Sequence, residues 1–152
     1  MTEENKHCYI KEGKLALPYQ YFAGRVGSKF LVSLRDKKKI LGVKCEKCGK
    51  VFIPPRKTCE RCFEDISEKW VELSNEGEVT NFTVVRTDDK HHPRKAPYVL
   101  AMIKLGGADT PIAHILGGVD PDSVKTGMKV KAVFADKAVN TMLQIDRFEP
   151  VN

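Results

Sequence analysis

Cys45, Cys48, Cys59 and Cys62 stand at the spacing Cys-x2-Cys-x10-Cys-x2-Cys. Two thiol pairs separated by a short loop are the ligand layout of a four-cysteine metal site. Each Cys-x2-Cys pair can turn back so that both sulfurs face one ion. Zinc takes such sulfurs tetrahedrally, and four thiolates leave no position for water or substrate. The chemistry expected of these residues is therefore structural: one metal ion per chain, holding a segment that has little core of its own. Iron in a rubredoxin-like site uses the same geometry. Two disulfides are the metal-free alternative, disfavoured in a reducing compartment.

The local sequence suits the turns a metal needs. Gly49 follows Cys48 and tolerates a positive φ as the chain wraps the ion. Phe63 holds the matching place after Cys62, so the two knuckles differ. Pro54-Pro55-Arg56 stiffens the connection between them. A fifth cysteine, Cys8, lies far off in sequence and reads as a bystander.

No other group of residues carries a catalytic pattern. The four histidines are His7, His91, His92 and His114. His114 sits between apolar neighbours in a strand-like run and reads as a packed residue. His91-His92 falls in the basic stretch Asp88–Lys95, which reads either as a ligand-contacting loop or as a solvated hairpin tip. The chain has no Gly-x-Ser-x-Gly, no phosphate-binding glycine loop and no His-Glu-x-x-His.

The chain of 152 residues carries a net charge of +6, unevenly placed. Residues 1–70 hold 16 Lys and Arg against 9 Asp and Glu, whereas residues 71–152 hold 10 against 11. The basic excess belongs to the N-terminal part and the cysteine segment. It suits nucleic acid, an acidic protein surface or a phosphate-bearing ligand such as coenzyme A, and equally a solvated lysine-rich face. No apolar run approaches the ~20 residues of a membrane helix. Met1–Lys6 is polar and lacks a signal-peptide core, so a cytoplasmic protein is expected.

The elements around the cysteines follow from periodicity. Phe22, Val26, Phe30 and Leu34 recur every four residues, which predicts an amphipathic helix over Tyr19–Lys38. Gly24 and Gly27 weaken its first turns, and Lys37-Lys38-Lys39 suits its C-terminus. Its apolar stripe packs on the C-terminal part of the chain or on a partner. Ile40–Lys44 and Val51–Ile53 read as short strands on either side of the first knuckle. Short strands then follow at Trp70–Leu73, Gly77–Thr87, Pro97–Leu105, Ile112–Leu116, Lys129–Phe134 and Met142–Phe148. Asp120-Pro121 to Gly127 reads as one or two helical turns between the third and fourth long strands. A five-stranded OB-fold barrel commonly places its helix there.

The expected fold is mainly β. An N-terminal helical arm spans 1–40, a rubredoxin-like zinc ribbon 41–68 and a C-terminal five-stranded OB-fold barrel 69–152. A ribbon joined to an OB-fold can bind single-stranded nucleic acid, given exposed aromatics with basic residues between them. Trp70, Phe82, Tyr98, Phe134 and Phe148 are the barrel's aromatics. Most sit among apolar neighbours, and the barrel is not basic, so this reading is the alternative one.

The order of motifs over about residues 19–150 resembles the zinc-ribbon and OB-fold proteins associated with acyl-CoA enzymes. The matching segments are Cys45–Gly49, Pro54-Pro55-Arg56, Cys59–Cys62, Gly77-Glu78-Val79, Ala96-Pro97-Tyr98 and Val124–Val130. Within that family the chain resembles the small subunit of benzoylsuccinyl-CoA thiolase. The resemblance implies a non-catalytic subunit. Such proteins pair with thiolase-like or hydroxymethylglutaryl-CoA-synthase-like enzymes, or with hydratases and aldolases acting on CoA thioesters. The ribbon and barrel would dock on the enzyme in a hetero-oligomer and hold or channel acyl-CoA at the interface. Phe63 departs from the small residue usual in the family at that position.

Overall fold

The computed structural model describes Gly13, Leu15 and residues 17–151; His7, Cys8 and the Met1–Lys6 stretch lie outside the described residues. The chain enters as an irregular segment and forms one α-helix, α1 (Gly24–Val32), which continues as a π-helical turn over Ser33–Lys37. The helix thus starts five residues later than its periodicity predicts. Gly24 is in the left-handed region at φ +76, and Tyr19–Ala23 contains no serine, threonine, aspartate or asparagine to cap an earlier start. Phe22 consequently leaves the stripe and is exposed. The C-terminal end is as expected. Lys38 turns the chain at φ 52, and Ser33 Oγ donates to the Lys39 carbonyl at 3.2 Å.

The next strands form a three-stranded sheet in the order β2-β1-β3, from β1 (Leu41–Lys44), β2 (Val51–Phe52) and β3 (Trp70–Glu72). Trp70–Glu72, expected to open the barrel series, instead pairs antiparallel with β1, Gly42 opposite Val71. Alternating apolar residues specify a strand, but its pairing partner is set by the tertiary fold.

The remaining strands are β4 (Glu76–Val85), β5 (Tyr98–Leu105), β6 (Ile112–Leu116), β7 (Lys129–Phe134) and β8 (Ile145–Pro150). They close into a barrel in the order β4-β5-β6-β8-β7, the five-stranded architecture of an OB-fold. A single turn of 3-10 helix at Pro121–Ser123 sits between β6 and β7, its first amides capped by Asp120. Residues 142–144, expected to begin the last strand, form a 3-10 turn before β8.

Closure depends on Gly77, which faces Leu105 of β5 and Val130 of β7. A Cβ there would lie 2.4 Å from the Lys104 carbonyl oxygen. Only glycine lets the backbones come this close.

One apolar cluster runs from the barrel into the helix. Val79, Ile103, Leu105, Val130, Ile145 and Phe148 fill the barrel. Leu73, Ile53 and Ile40 carry the cluster through the ribbon to Leu34 and Phe30. The helix stripe therefore packs on its own chain. Polar bonds fix the same joint. The Val51 amide donates to Asp109 Oδ2 at 2.8 Å, and the Ile53 amide donates to Thr110 Oγ1 at 2.7 Å. The turn between β5 and β6 thus covers the outer edge of β2.

His114 packs as its sequence context predicts. It is buried against Phe148, ring centroids 5.5 Å apart. The Ile115 amide donates to its Nδ1 at 2.9 Å, leaving Nε2–H to donate to the Met142 carbonyl at 3.3 Å. Both ring nitrogens are spent on backbone, and only the neutral ring fits both bonds. Burial lowers its pKa from the usual 6.5. Below that value the unfolded chain takes up a proton that the folded ring refuses. Stability should therefore fall as pH drops from about 7.5 to 5.5, with no contribution from this group above that range. Urea titrations across it should show that His114→Leu removes this part of the slope. An unchanged slope would contradict the assignment.

Candidate metal centre

The four cysteines come from two turns of matching construction. In the first, the Cys45 amide donates to the Lys50 carbonyl at 2.8 Å and the Gly49 amide to the Cys45 carbonyl at 2.7 Å. In the second, the Cys59 amide donates to the Glu64 carbonyl and the Phe63 amide to the Cys59 carbonyl, both at 3.0 Å. The turns correspond residue for residue, so Phe63 takes the place of Gly49. Gly49 has φ +76 and Phe63 has φ 57. A phenylalanine in that region costs about 1 kcal/mol, where a glycine costs nothing comparable. Its ring is 81% exposed, so burial in this chain does not offset the strain.

The sulfurs of Cys45, Cys48, Cys59 and Cys62 all lie within 4.8 Å of one another. Those of Cys48 and Cys59 are 3.7 Å apart. Four sulfurs at ~2.3 Å from a tetrahedral ion are separated by about 3.8 Å, so the donor set fits a metal. All four thiols are free, and the disulfide alternative is not what the chain adopts. Burial opposes ionisation of Cys59, but the Arg61 and Cys62 amides and the neighbouring thiols outweigh it and bring its pKa to about 7. Burial, with the Cys48 and Cys45 thiols beside it, pushes Cys62 up to about 12. Without a cation the quartet readily carries one negative charge but not four. A divalent ion is what makes four thiolates compatible.

Around the quartet, Val43, Phe52 and Ile66 form a small apolar shell, with Trp70 packed against it. Trp70 also touches the main cluster. Lys29 of α1 lies over its ring, 4.6 Å from the centroid. Its indole N–H is buried without a hydrogen-bond partner. This tryptophan joins metal ribbon, helix and barrel. The sequence marked it only as an apolar strand residue.

The other sequence candidates do not gather around the metal centre. The Asp88–Lys95 loop joins β4 to β5, and His91 and His92 are exposed. His92 meets Tyr98 edge-on at 5.9 Å, and Arg94 pairs with Asp146. Among the described residues, the cysteine quartet is the only cluster of His, Cys, Asp or Glu side chains placed for a shared ion. Much of the ribbon's basic charge is paired: Lys47 with Glu64, Arg56 with Glu60, Lys57 with Asp65 and Lys69 with Glu46. These contacts are exposed, and solvent screening leaves them little effect on stability. They leave a solvated, mixed-charge surface rather than a uniformly basic one. Among the described residues, no helix is long and apolar enough to cross a membrane.

Comparison with known proteins agrees with this architecture. The family model described as the ChsH2 rubredoxin-like zinc ribbon domain matches residues 34–68, and the ChsH2 C-terminal OB-fold domain matches residues 70–135. A DUF35 domain-containing scaffold protein of Methanocaldococcus jannaschii is 34% identical over 104 residues, covering 66% of this chain and 71% of the relative. A scaffold protein of the same description from Pyrococcus furiosus is 31% identical over 106 residues, covering 70% and 76%. Among solved structures, a DUF35-family protein of unknown function from Sulfolobus solfataricus superposes with TM-score 0.64 at 29% identity, covering 84% of this chain and 87% of that one. A chain of the Ltp2-ChsH2(DUF35) aldolase shares the fold, with TM-score 0.61 at 23% identity over 81% and 93% of the two chains. Cysteine geometry, closed barrel and family matches together place this chain in the DUF35 family of ChsH2-type proteins, which join a rubredoxin-like zinc ribbon to a C-terminal OB-fold.

Proposed function

We propose that this chain is a non-catalytic, cytoplasmic accessory subunit that docks on a thiolase-like enzyme acting on acyl-CoA. In this reading Cys45, Cys48, Cys59 and Cys62 hold one structural zinc, and the chain supports assembly of the enzyme and binding or channelling of its thioester at the interface. The observation that carries the reading is where the reactive side chains go. The four thiols close on one another, and His114 spends both nitrogens on backbone. What remains available is surface. The names of the relatives support a scaffold role, as does the fold's occurrence in a ChsH2 chain of an aldolase.

Single-strand binding is the competing function. The aromatics speak against it, since in the barrel Phe148 is buried and Phe82 and Phe134 pack on the core, and Trp70, which lies in the ribbon sheet, packs on it too. The paired charges of the ribbon do so as well.

The test is turnover of a thiolase-type subunit from the same cells, assayed with and without this chain. Added chain should bind that subunit and raise its activity at least ~10-fold, since assembling a site supplies more than 1.4 kcal/mol. Full activity of the enzyme alone, with this chain monomeric beside it, would overturn the proposal. Steep, salt-dependent capture of single-stranded oligonucleotides would favour the alternative.

A further inference from the structure

Ten large apolar side chains are exposed among the described residues; the six above 50% are Phe63 and five that lie between positions 15 and 22. Leu15, Leu17, Tyr19, Tyr21 and Phe22 are 84%, 70%, 80%, 81% and 77% exposed. The first four occupy every second position, alternating in sequence with Ala16, Pro18 and Gln20. A period of two belongs to a strand and not to a helix. The Tyr19 and Tyr21 rings lie 6.0 Å apart, near the ~6.6 Å that separates alternate residues of an extended chain. Pro18 also biases Leu17 toward an extended backbone. Yet no strand of this chain pairs with the segment among the described residues.

We propose that residues 15–22 form a β-strand in the assembled complex, added to an exposed sheet edge of the thiolase-type partner. Leu15, Leu17, Tyr19 and Tyr21 then enter apolar pockets on one face. This rests on the accessory-subunit reading above.

The position of the proline makes the edges of the added strand unequal. Along a strand, the N–H and C=O of alternate residues point to the same edge. Leu15, Leu17, Tyr19 and Tyr21 share one edge with every donor intact. Pro18 lies on the other edge and removes a donor from it. Proline in a strand belongs at an edge that is not paired further. The arm can therefore pair once and then ends the sheet.

The four side chains on that face expose roughly 550 Å², about two thirds of the ~800 Å² each partner buries in a standard interface. A second copy of this chain is a poor recipient. Its barrel is closed, its β2 edge is covered by Asp109 and Thr110, and β3 is three residues long. An eight-residue strand needs a longer edge than that.

The test uses the full chain and the same thiolase-type subunit. Hydrogen exchange read residue by residue, free and in complex, should slow about 100-fold at the Leu15, Leu17, Tyr19 and Tyr21 amides, with Ala16 and Gln20 left fast. Leu17→Asp with Tyr19→Asp should weaken binding by ~30-fold or more, while Ala16→Asp with Gln20→Asp adds the same charge and should change it by less than ~3-fold. A complex whose arm amides stay fast, or that both pairs of substitutions weaken alike, overturns the added strand and leaves the accessory role standing. Failure of the unaltered chain to bind that subunit overturns both.

Discussion

Cys59→Ser is expected to release the bound metal and unfold residues 41–68 while the barrel stays closed. Four-coordinate metal sites of this kind supply ~10–16 kcal/mol of apparent binding energy that is also folding energy. The ribbon has little to replace it. Its own buried cluster is Val43, Cys45, Phe52, Cys59 and Ile66, and two of those five are ligands. The barrel has a closed hydrogen-bonded ladder and a separate set of core residues, from Val79 to Phe148. Trp70, the single tryptophan, packs on both clusters and reports the event. Its fluorescence should shift to the red, with amide protection lost in β1 and retained in β5. Chelation of the unaltered protein should reproduce each effect. A ribbon that keeps its protection after chelation would show that the cysteines are not the clamp.

Leu34→Ala should cost about 3–4 kcal/mol and lower the melting temperature by roughly 10 °C. Leu34 has no exposed surface and links Phe30 of the helix to Ile40 and the ribbon–barrel joint. Truncation leaves a cavity where three elements meet, and the polar bonds of Asp109 and Thr110 on β2 hold that joint too rigid to collapse into it. Val32 on the same helix is exposed, and Val32→Ala should change stability by less than about 0.5 kcal/mol. Comparable losses at both positions would mean that the helix is not docked as described.

What the sequence revealed depended on how local each determinant is. The metal quartet was legible because two Cys-x2-Cys turns carry their geometry within six residues each. The barrel strands were legible from alternation and turn residues, and the 3-10 turn from Asp120 and Pro121. Strand pairing was less so. Trp70–Glu72 looks like any short strand, and only the fold decides that β1 takes it. The start of the helix is not local: Phe22 continues the four-residue spacing, but Gly24 ends the helix before reaching it. That spacing also overlaps the alternation of Leu15, Leu17, Tyr19 and Tyr21. The joint through Asp109 and Thr110 joins residues more than fifty positions apart, and no local pattern encodes it.

On the proposed reading the metal has a positional role: it folds the ribbon, and the surfaces it arranges are what a partner meets. The ribbon is bonded to the turn between β5 and β6, with helix and barrel packed on either side. Native mass spectrometry of this chain mixed with the proposed thiolase-type subunit tests that account most directly, because one spectrum counts both chains and metal. The account predicts an assembly containing both proteins with one zinc for each copy of this chain, and no assembly with the Cys59→Ser variant. Separate masses for the two unaltered proteins, or an assembly that forms equally well without metal, would contradict it.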